Sequence, residues 1–180
     1  MYRCCWSGWH QKNMEAEVII MDNSERIEFV ISEFRKADIN IDEKQADKFV
    51  KLCDFMVEYN ENVNLTSITE FSEVVVKHFV DSVLPFTMVD IPQGSSFIDV
   101  GTGAGFPAIP LLICRPDLKG TLCDSLNKRC AYLEKACELI GVKSEIIHAR
   151  SEELGRKKRE CFDFATARAV AAMPVLSEYC

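Results

Sequence analysis

The apolar residues of this chain fall into two successive regimes. Ile27, Val30, Ile31 and Phe34 recur at helical spacing behind Ser24, a candidate cap; Ala46, Phe49, Val50, Cys53, Met56 and Val57 do so behind an Asp42/Gln45 capping box. Two amphipathic helices are predicted, and each needs a surface to cover. A third helix, from about Glu70, places His78, Asp81 and Ser82 on one face at i, i+3 and i+4. From Ser96 the pattern changes to short apolar runs alternating with helical stretches. Strands are predicted over 96–100, 121–124, 144–148 and 162–167, with helices near 107–114, 127–140 and 151–158. That alternation predicts an α/β fold with a parallel, doubly wound sheet and right-handed crossovers. The expected organisation is an N-terminal extension over 1–22, a helical cap over 23–92 and an α/β core over 93–180. The first 21 residues carry Cys-Cys-Trp-Ser-Gly-Trp without periodicity, and Met14 and Met21 are alternative natural starts.

At 180 residues and 48% hydrophobic, the chain has room for one packed domain with a small appendage. No apolar run approaches the ~20 residues of a membrane span, and the N-terminus lacks the apolar core of a signal peptide, so no membrane partner is expected and the cytoplasm is the expected compartment. The 9 cysteines include no Cys-x-x-Cys pair, and no histidine stands at ligand spacing. Most are therefore expected to be small buried hydrophobes, and no metal is assigned. A formal charge of -7 argues against a general nucleic-acid binder. Basic residues nevertheless gather late, at Lys128, Arg129, Lys135, Lys143, Arg150, Arg156 to Arg159 and Arg168. A local basic face of this kind can serve RNA on an acidic protein; for 156–159 alone, a solvated helix end is an equal alternative.

The chemistry concentrates in Asp99-Val-Gly-Thr-Gly-Ala-Gly-Phe-Pro107, directly after a predicted strand. Glycines there let the backbone approach a ligand, and an acidic residue two places before the first can accept hydrogen bonds from it. A dinucleotide fingerprint requires Gly-x-Gly-x-x-Gly, and counting from Gly101 puts Phe106 at its last place. The spacing that fits is acidic-x-Gly-x-Gly-x-Gly, the first motif of S-adenosylmethionine (SAM) methyltransferases, which assigns Asp99, Gly101 and Gly103 to a cofactor pocket. Asp124 closes the second predicted strand about twenty residues on, where an acidic side chain meets ribose hydroxyls in doubly wound folds; capping the following helix is its alternative role. Pro107 and Pro110 mark a helix start, since the first helical N–H groups have no intrahelical partner to lose. Gly101, Asp124, Arg150 with Glu152, and Arg168 all fall at carboxyl ends of predicted strands, where such sheets bind ligands.

These residues carry a specific resemblance. Asn64-Leu-Thr66, His78 with Asp81-Ser82, the Asp99 to Pro110 stretch, Asp124-Ser-Leu-Asn-Lys-Arg129, Arg150-Ser-Glu152 and Ala167-Arg-Ala169 together resemble the RsmG (GidB) family, bacterial methyltransferases of small-subunit ribosomal RNA that act on guanine N7. The resemblance runs in order from about residue 25 to the end. It implies a Rossmann-like SAM-dependent methyltransferase sheet with an N-terminal helical cap, SAM as cofactor, and 16S ribosomal RNA or the small subunit as partner of a monomer. By resemblance, Gly101 and Phe106 shape the methionine side of the pocket. Asp124, Ser125 and Leu126 hold the ribose and flank the adenine, and Ser151 and Glu152 line the adenine site. Arg168 faces cofactor and incoming base as the catalytic residue, and Lys128, Arg129 and Arg150 contact RNA phosphates. For Asn64, His78, Asp81 and Ser82 a structural network and a substrate role stand level; His148 is read as structural.

Guanine N7 offers a free lone pair, so no general base is required. In agreement, Ala167-Arg-Ala-Val-Ala-Ala-Met-Pro174 lacks the Asp/Asn-Pro-Pro-aromatic signature of adenine amino methylation, and no Pro-Cys nucleophile for pyrimidine C5 chemistry is evident. Two departures stand against the family pattern: Ala108 replaces a usual glycine, and Cys180 ends the chain where a helix should follow the fourth strand, so that C-terminal strands are expected to be missing and the fourth strand to be an edge. Two rivals stay open at this point, a methyltransferase for a protein or small-molecule acceptor and a non-enzymatic fragment or RNA-binding module.

Overall fold

The computed structural model describes residues 21–168. Helix α1 (Asn23–Lys36) starts earlier than expected, because Asp22 rather than Ser24 is its cap: the Asp22 carboxylate accepts from Glu25 N at 2.9 Å and Glu25 returns the bond to Asp22 N at 2.8 Å. Helix α2 (Glu43–Val63) begins at the expected Asp42/Gln45 box and ends at Asn64, whose φ of 51° is left-handed. The Gln45 amide also donates to the Ile113 carbonyl at 2.9 Å, tying α2 to the α/β part. The predicted third helix is composite. After α3 (Phe71–Val74) the backbone widens into a π-helical turn over Val75–Val80, resumes as α4 (Asp81–Val83) and tightens into a 3-10 turn over Leu84–Thr87. His78 sits within the widened turn, a deviation that often accompanies a functional site.

Four parallel strands follow: β1 (Ser96–Val100), β2 (Lys119–Asp124), β3 (Ser144–His148) and β4 (Phe164–Thr166), connected through α5 (Ala108–Cys114), α6 (Asn127–Ile140) and α7 (Ser151–Lys157). Their order is β3-β2-β1-β4, so successive crossovers run outward from β1 to β3 and then return to its other side. The reversal puts a ligand crevice outside the carboxyl ends of β1 and β4. Among the described residues β4 is an outer strand, and it pairs Asp99 with Thr166. Two strands differ from expectation: β2 begins two residues earlier, and β4 is shorter than 162–167 at both ends. Pro107 caps α5 instead of opening it, and Pro110 takes its third position, where its missing N–H again removes no helical bond.

One apolar core runs through the cap and the sheet, from Val30 and Phe34 to Leu133 and Ile140. Ring contacts Phe34–Phe49 (4.8 Å), Phe49–Phe79 (4.9 Å) and Phe79–Phe106 (5.9 Å) lead from α1 to the glycine loop, so the helices are packed onto the site itself. Cys53, Cys123, Cys130 and Cys137 are buried, Cys114 half-buried and Cys161 exposed, all as free thiols. Cys4, Cys5 and Cys180 lie outside the described residues, as do nearly all of the expected extension and the segment after the fourth strand. No helix among the described residues is long and apolar enough to cross a membrane.

Candidate active site

Strand β1 delivers Asp99 to the floor of the crevice, where its side chain is wholly buried. Burial pushes its carboxyl up to about 6, against the pull of hydroxyls on Thr102 and Thr166. Thr166 Oγ1 donates to Oδ1 at 2.9 Å, whereas Oδ2 and the buried Thr102 hydroxyl, near enough for the hydroxyl to act on the carboxyl, make no hydrogen bond of good geometry. Above it the glycine loop folds back over β2, with the N–H groups of Gly101 and Thr102 both donating to the Cys123 carbonyl at 2.9 and 3.0 Å. Gly105, at φ 90°, is where a side chain is least tolerable: a Cβ there would stand 2.4 Å from Ile109 Cδ1 and 3.2 Å from Leu133. That glycine seats the loop on α5 and α6.

Asp124 is 3% exposed. Its Oδ2 accepts from Gly103 N at 3.0 Å, and its Oδ1 from Leu126 N at 2.9 Å in a turn that leads into α6. The carboxylate braces the glycine loop and shapes the entry to α6, but it does not take the alternative capping role, since the cap position is Leu126 and no side chain bonds the first turn. Arg129 is half-buried and turned onto this carboxylate, Nη1 to Oδ2 at 3.6 Å. Of the predicted phosphate contacts, only Lys128 and Arg150 are exposed.

Gly101, Asp124, Ser125, Arg150, Ser151 and Glu152 line a cleft of about 200 Å³, together with Cys123 and Ala149, which the sequence reading did not single out. Ala149 could have been found as the residue continuing β3 past His148. The ring of His148 reaches the Ser125 carbonyl at 3.0 Å and so fixes that wall. Asp99, Gly103 and Phe106 are not on this wall, and Leu126 follows Ser125 with 52% of its surface exposed. A larger cavity, about 1080 Å³, runs along β4 and α7 and shares Ser151 and Glu152 with the cleft; no loop glycine and neither Asp99 nor Asp124 borders it.

Arg168 stands apart from that cleft, under the cap. Its Nη2 lies 3.2 Å from His78 Nδ1, and its Nη1 reaches Asp81 Oδ2 (3.3 Å), Ser82 Oγ (3.4 Å) and the Lys77 carbonyl (3.4 Å). Its guanidinium carbon lies 5.2 Å from the Phe106 ring centroid, a cation–π contact. Expected members from two distant stretches of chain are thus brought together here, while Asn64 stays exposed at the end of α2.

Comparison with known proteins identifies the lineage of this arrangement. A family profile described as GidB, rRNA small subunit methyltransferase G, matches residues 45–180. The chain belongs to the RsmG family. Curated relatives named ribosomal RNA small subunit methyltransferase G include those of Desulforamulus reducens (44% identical over 149 residues, 81% of this chain and 62% of the relative), Lactobacillus helveticus (48% over 155 residues, 83% and 65%) and Bacillus subtilis (45% over 157 residues, 86% and 66%). The chain spans just under two thirds of the length of these RsmG relatives. Among solved structures, a Plasmodium falciparum putative protein-L-isoaspartate O-methyltransferase in complex with S-adenosyl-L-homocysteine aligns with a TM-score of 0.53 at 13% identity, covering 86% of this chain and 78% of that one. The RsmG chain described here therefore has the Rossmann-like methyltransferase fold.

Proposed function

We propose that the chain is a SAM-dependent methyltransferase acting on N7 of a guanine in 16S ribosomal RNA, as a cytoplasmic monomer. The observation that carries this reading is the pairing of a glycine-loop cleft, lined by Asp124, with buried acceptors that lack hydrogen bonds: Asp99 Oδ2 and Thr102 Oγ1. Buried polar atoms are costly unless something completes them, and the ammonium and ribose hydroxyls of SAM supply the matching donors. The fit supports Asp99, Gly101, Gly103 and Phe106 for the methionine end, Asp124, Ser125 and Leu126 for the ribose and adenine, and Ser151 and Glu152 for the adenine edge. When bound, SAM supplies an electrophilic methyl group on a sulfonium.

This chain's own residues would then act by alignment. The glycine loop and Asp124 fix the cofactor's orientation, and the helical cap excludes water from the crevice. Arg168 offers a donor to O6 of guanine and leaves the N7 lone pair free for the methyl group, so no residue has to remove a proton. Lys128 and Arg150 hold RNA phosphates from the exposed rim; their charge on an acidic protein favours RNA over a protein or small-molecule acceptor.

The test is transfer of labelled methyl from SAM to small ribosomal subunits and to naked 16S RNA, with the product digested and assayed for 7-methylguanosine. The wild-type chain should form that nucleoside, and Arg168→Ala should lose about 100-fold in rate with SAM binding retained. Label in a different nucleoside, or normal kinetics in Arg168→Ala, would overturn the respective claim.

A further inference from the structure

The grip on Arg168 defines the protonation state of its histidine partner. Arginine has donors only, so His78 Nδ1, at 3.2 Å from Nη2, must accept and must be unprotonated. The ring proton is then on Nε2, which lies 2.8 Å from Thr66 Oγ1; that hydroxyl also takes the Ile68 N–H at 3.1 Å and is thereby fixed at the end of α2's following loop. The imidazole is stacked on Phe106 at 4.8 Å and 21°, so it cannot swing away from the guanidinium without leaving the ring. Groups facing this histidine come from every side. Arg168 approaches from beyond β4, Asp81 from its own helix, Thr66 and Phe106 bring no charge, and Asp99 faces Arg168 from the end of β1. Burial and the neighbouring guanidinium both lower the His78 pKa, in agreement with the neutral ring that the geometry demands.

We propose that His78 is a positioning residue for Arg168: as the Nε2–H tautomer anchored by Thr66, it takes one guanidinium nitrogen, leaves the other to Asp81 and Ser82, and so aims the arginine at the crevice. The inference deepens the methyltransferase reading and rests on it for its kinetic consequence; the tautomer claim stands without it. Protonation of His78 replaces an acceptor with a second cation beside Arg168 and breaks the aim, so the acid-side fall in the rate of transfer has a part that cofactor binding, which follows Asp99, does not share.

The experiment uses the full chain. Long-range proton–nitrogen correlation on labelled histidine should show His78 as the Nε2–H tautomer, titrating below the ordinary 6.5; an Nδ1–H tautomer, or titration at or above that value, overturns the proposal. Kinetically, His78→Phe keeps the stack but loses the acceptor and should lower kcat about 10- to 100-fold with KM for SAM within about twofold. His78→Asn puts an amide oxygen near the place of Nδ1; it should recover most of that rate and flatten the part of the acid limb that belongs to His78, leaving the part due to Asp99. Equal damage in both variants, with S-adenosylhomocysteine binding intact, would reduce His78 to a structural residue. Absence of S-adenosylhomocysteine binding in the wild-type chain would instead strike the methyltransferase reading and leave the tautomer result to decide this one.

Discussion

Asp99 is held in the fold at an energetic cost, and Asp99→Asn measures it. With its carboxyl at about 6 in the folded protein against the ordinary 3.8, the gap is roughly two pH units. At about 1.4 kcal/mol per unit, the ionised carboxylate destabilises the fold by about 3 kcal/mol at pH 7.5. The folded protein binds this proton more tightly than the unfolded chain, so the group's contribution is most favourable below pH 3.8 and worsens as pH rises to about 6. Asparagine keeps an oxygen for Thr166 and places an amide beside the unpartnered Thr102 hydroxyl, while abolishing the titration. Urea unfolding at several pH values should find Asp99→Asn more stable than wild type by about 3 kcal/mol at pH 7.5, with the difference shrinking to about half by pH 5. Any constant offset from the amide leaves that pH slope intact. A difference that does not change between pH 5 and 7.5 would mean that the Asp99 carboxyl is not raised by burial in the fold. The same variant should bind S-adenosylhomocysteine more weakly, since the stability cost is borne at a site reserved for a donor on the ligand.

Two further substitutions probe the support of the site. Gly105→Ala drives a Cβ to 2.4 Å from Ile109 Cδ1 at a φ of 90°, and should destabilise by about 2–4 kcal/mol in a thermal melt; Ile109→Val, which deletes the obstructing methyl, should recover part of it. Tyr132 is fully buried against Phe55, its hydroxyl lacks a partner and burial pushes its pKa upward, so Tyr132→Phe should be neutral or stabilising by about 1 kcal/mol in the same assay.

Elements whose stabilisation is local were legible in the sequence. β1, β3 and α6 lie at the expected residues because each has a contiguous apolar signal and a clear stop, Gly141 with its left-handed φ in the case of α6. β2 was read short because Lys119 and Gly120 pair through backbone alone, and Gly120 is small since a Cβ would meet Leu112 and Phe97 at 2.8 and 3.0 Å. The start of α1 is not legible locally because Ser24 is an equally good cap type, and only the reciprocal Asp22–Glu25 bonds decide between them. The cleft residues were recoverable from strand ends and motif spacing. The Arg168 cluster was not: nothing in local pattern joins residue 168 to residues 78–82, and the π-helical turn that presents His78 has no signature of hydrophobic period. Nor could the sequence show that Arg129 turns inward to Asp124.

The most direct test of the account is a calorimetric titration of the folded chain with S-adenosylhomocysteine, beside Gly101→Arg. Gly101 lines the cleft at a φ of 68°, so an arginine there both strains the loop and fills the space beside Asp124. The wild-type chain should show saturable binding at one site, and Gly101→Arg should lose it. No heat from a wild-type chain that circular dichroism shows to be folded, or equal binding in the variant, would contradict a cofactor site in this cleft.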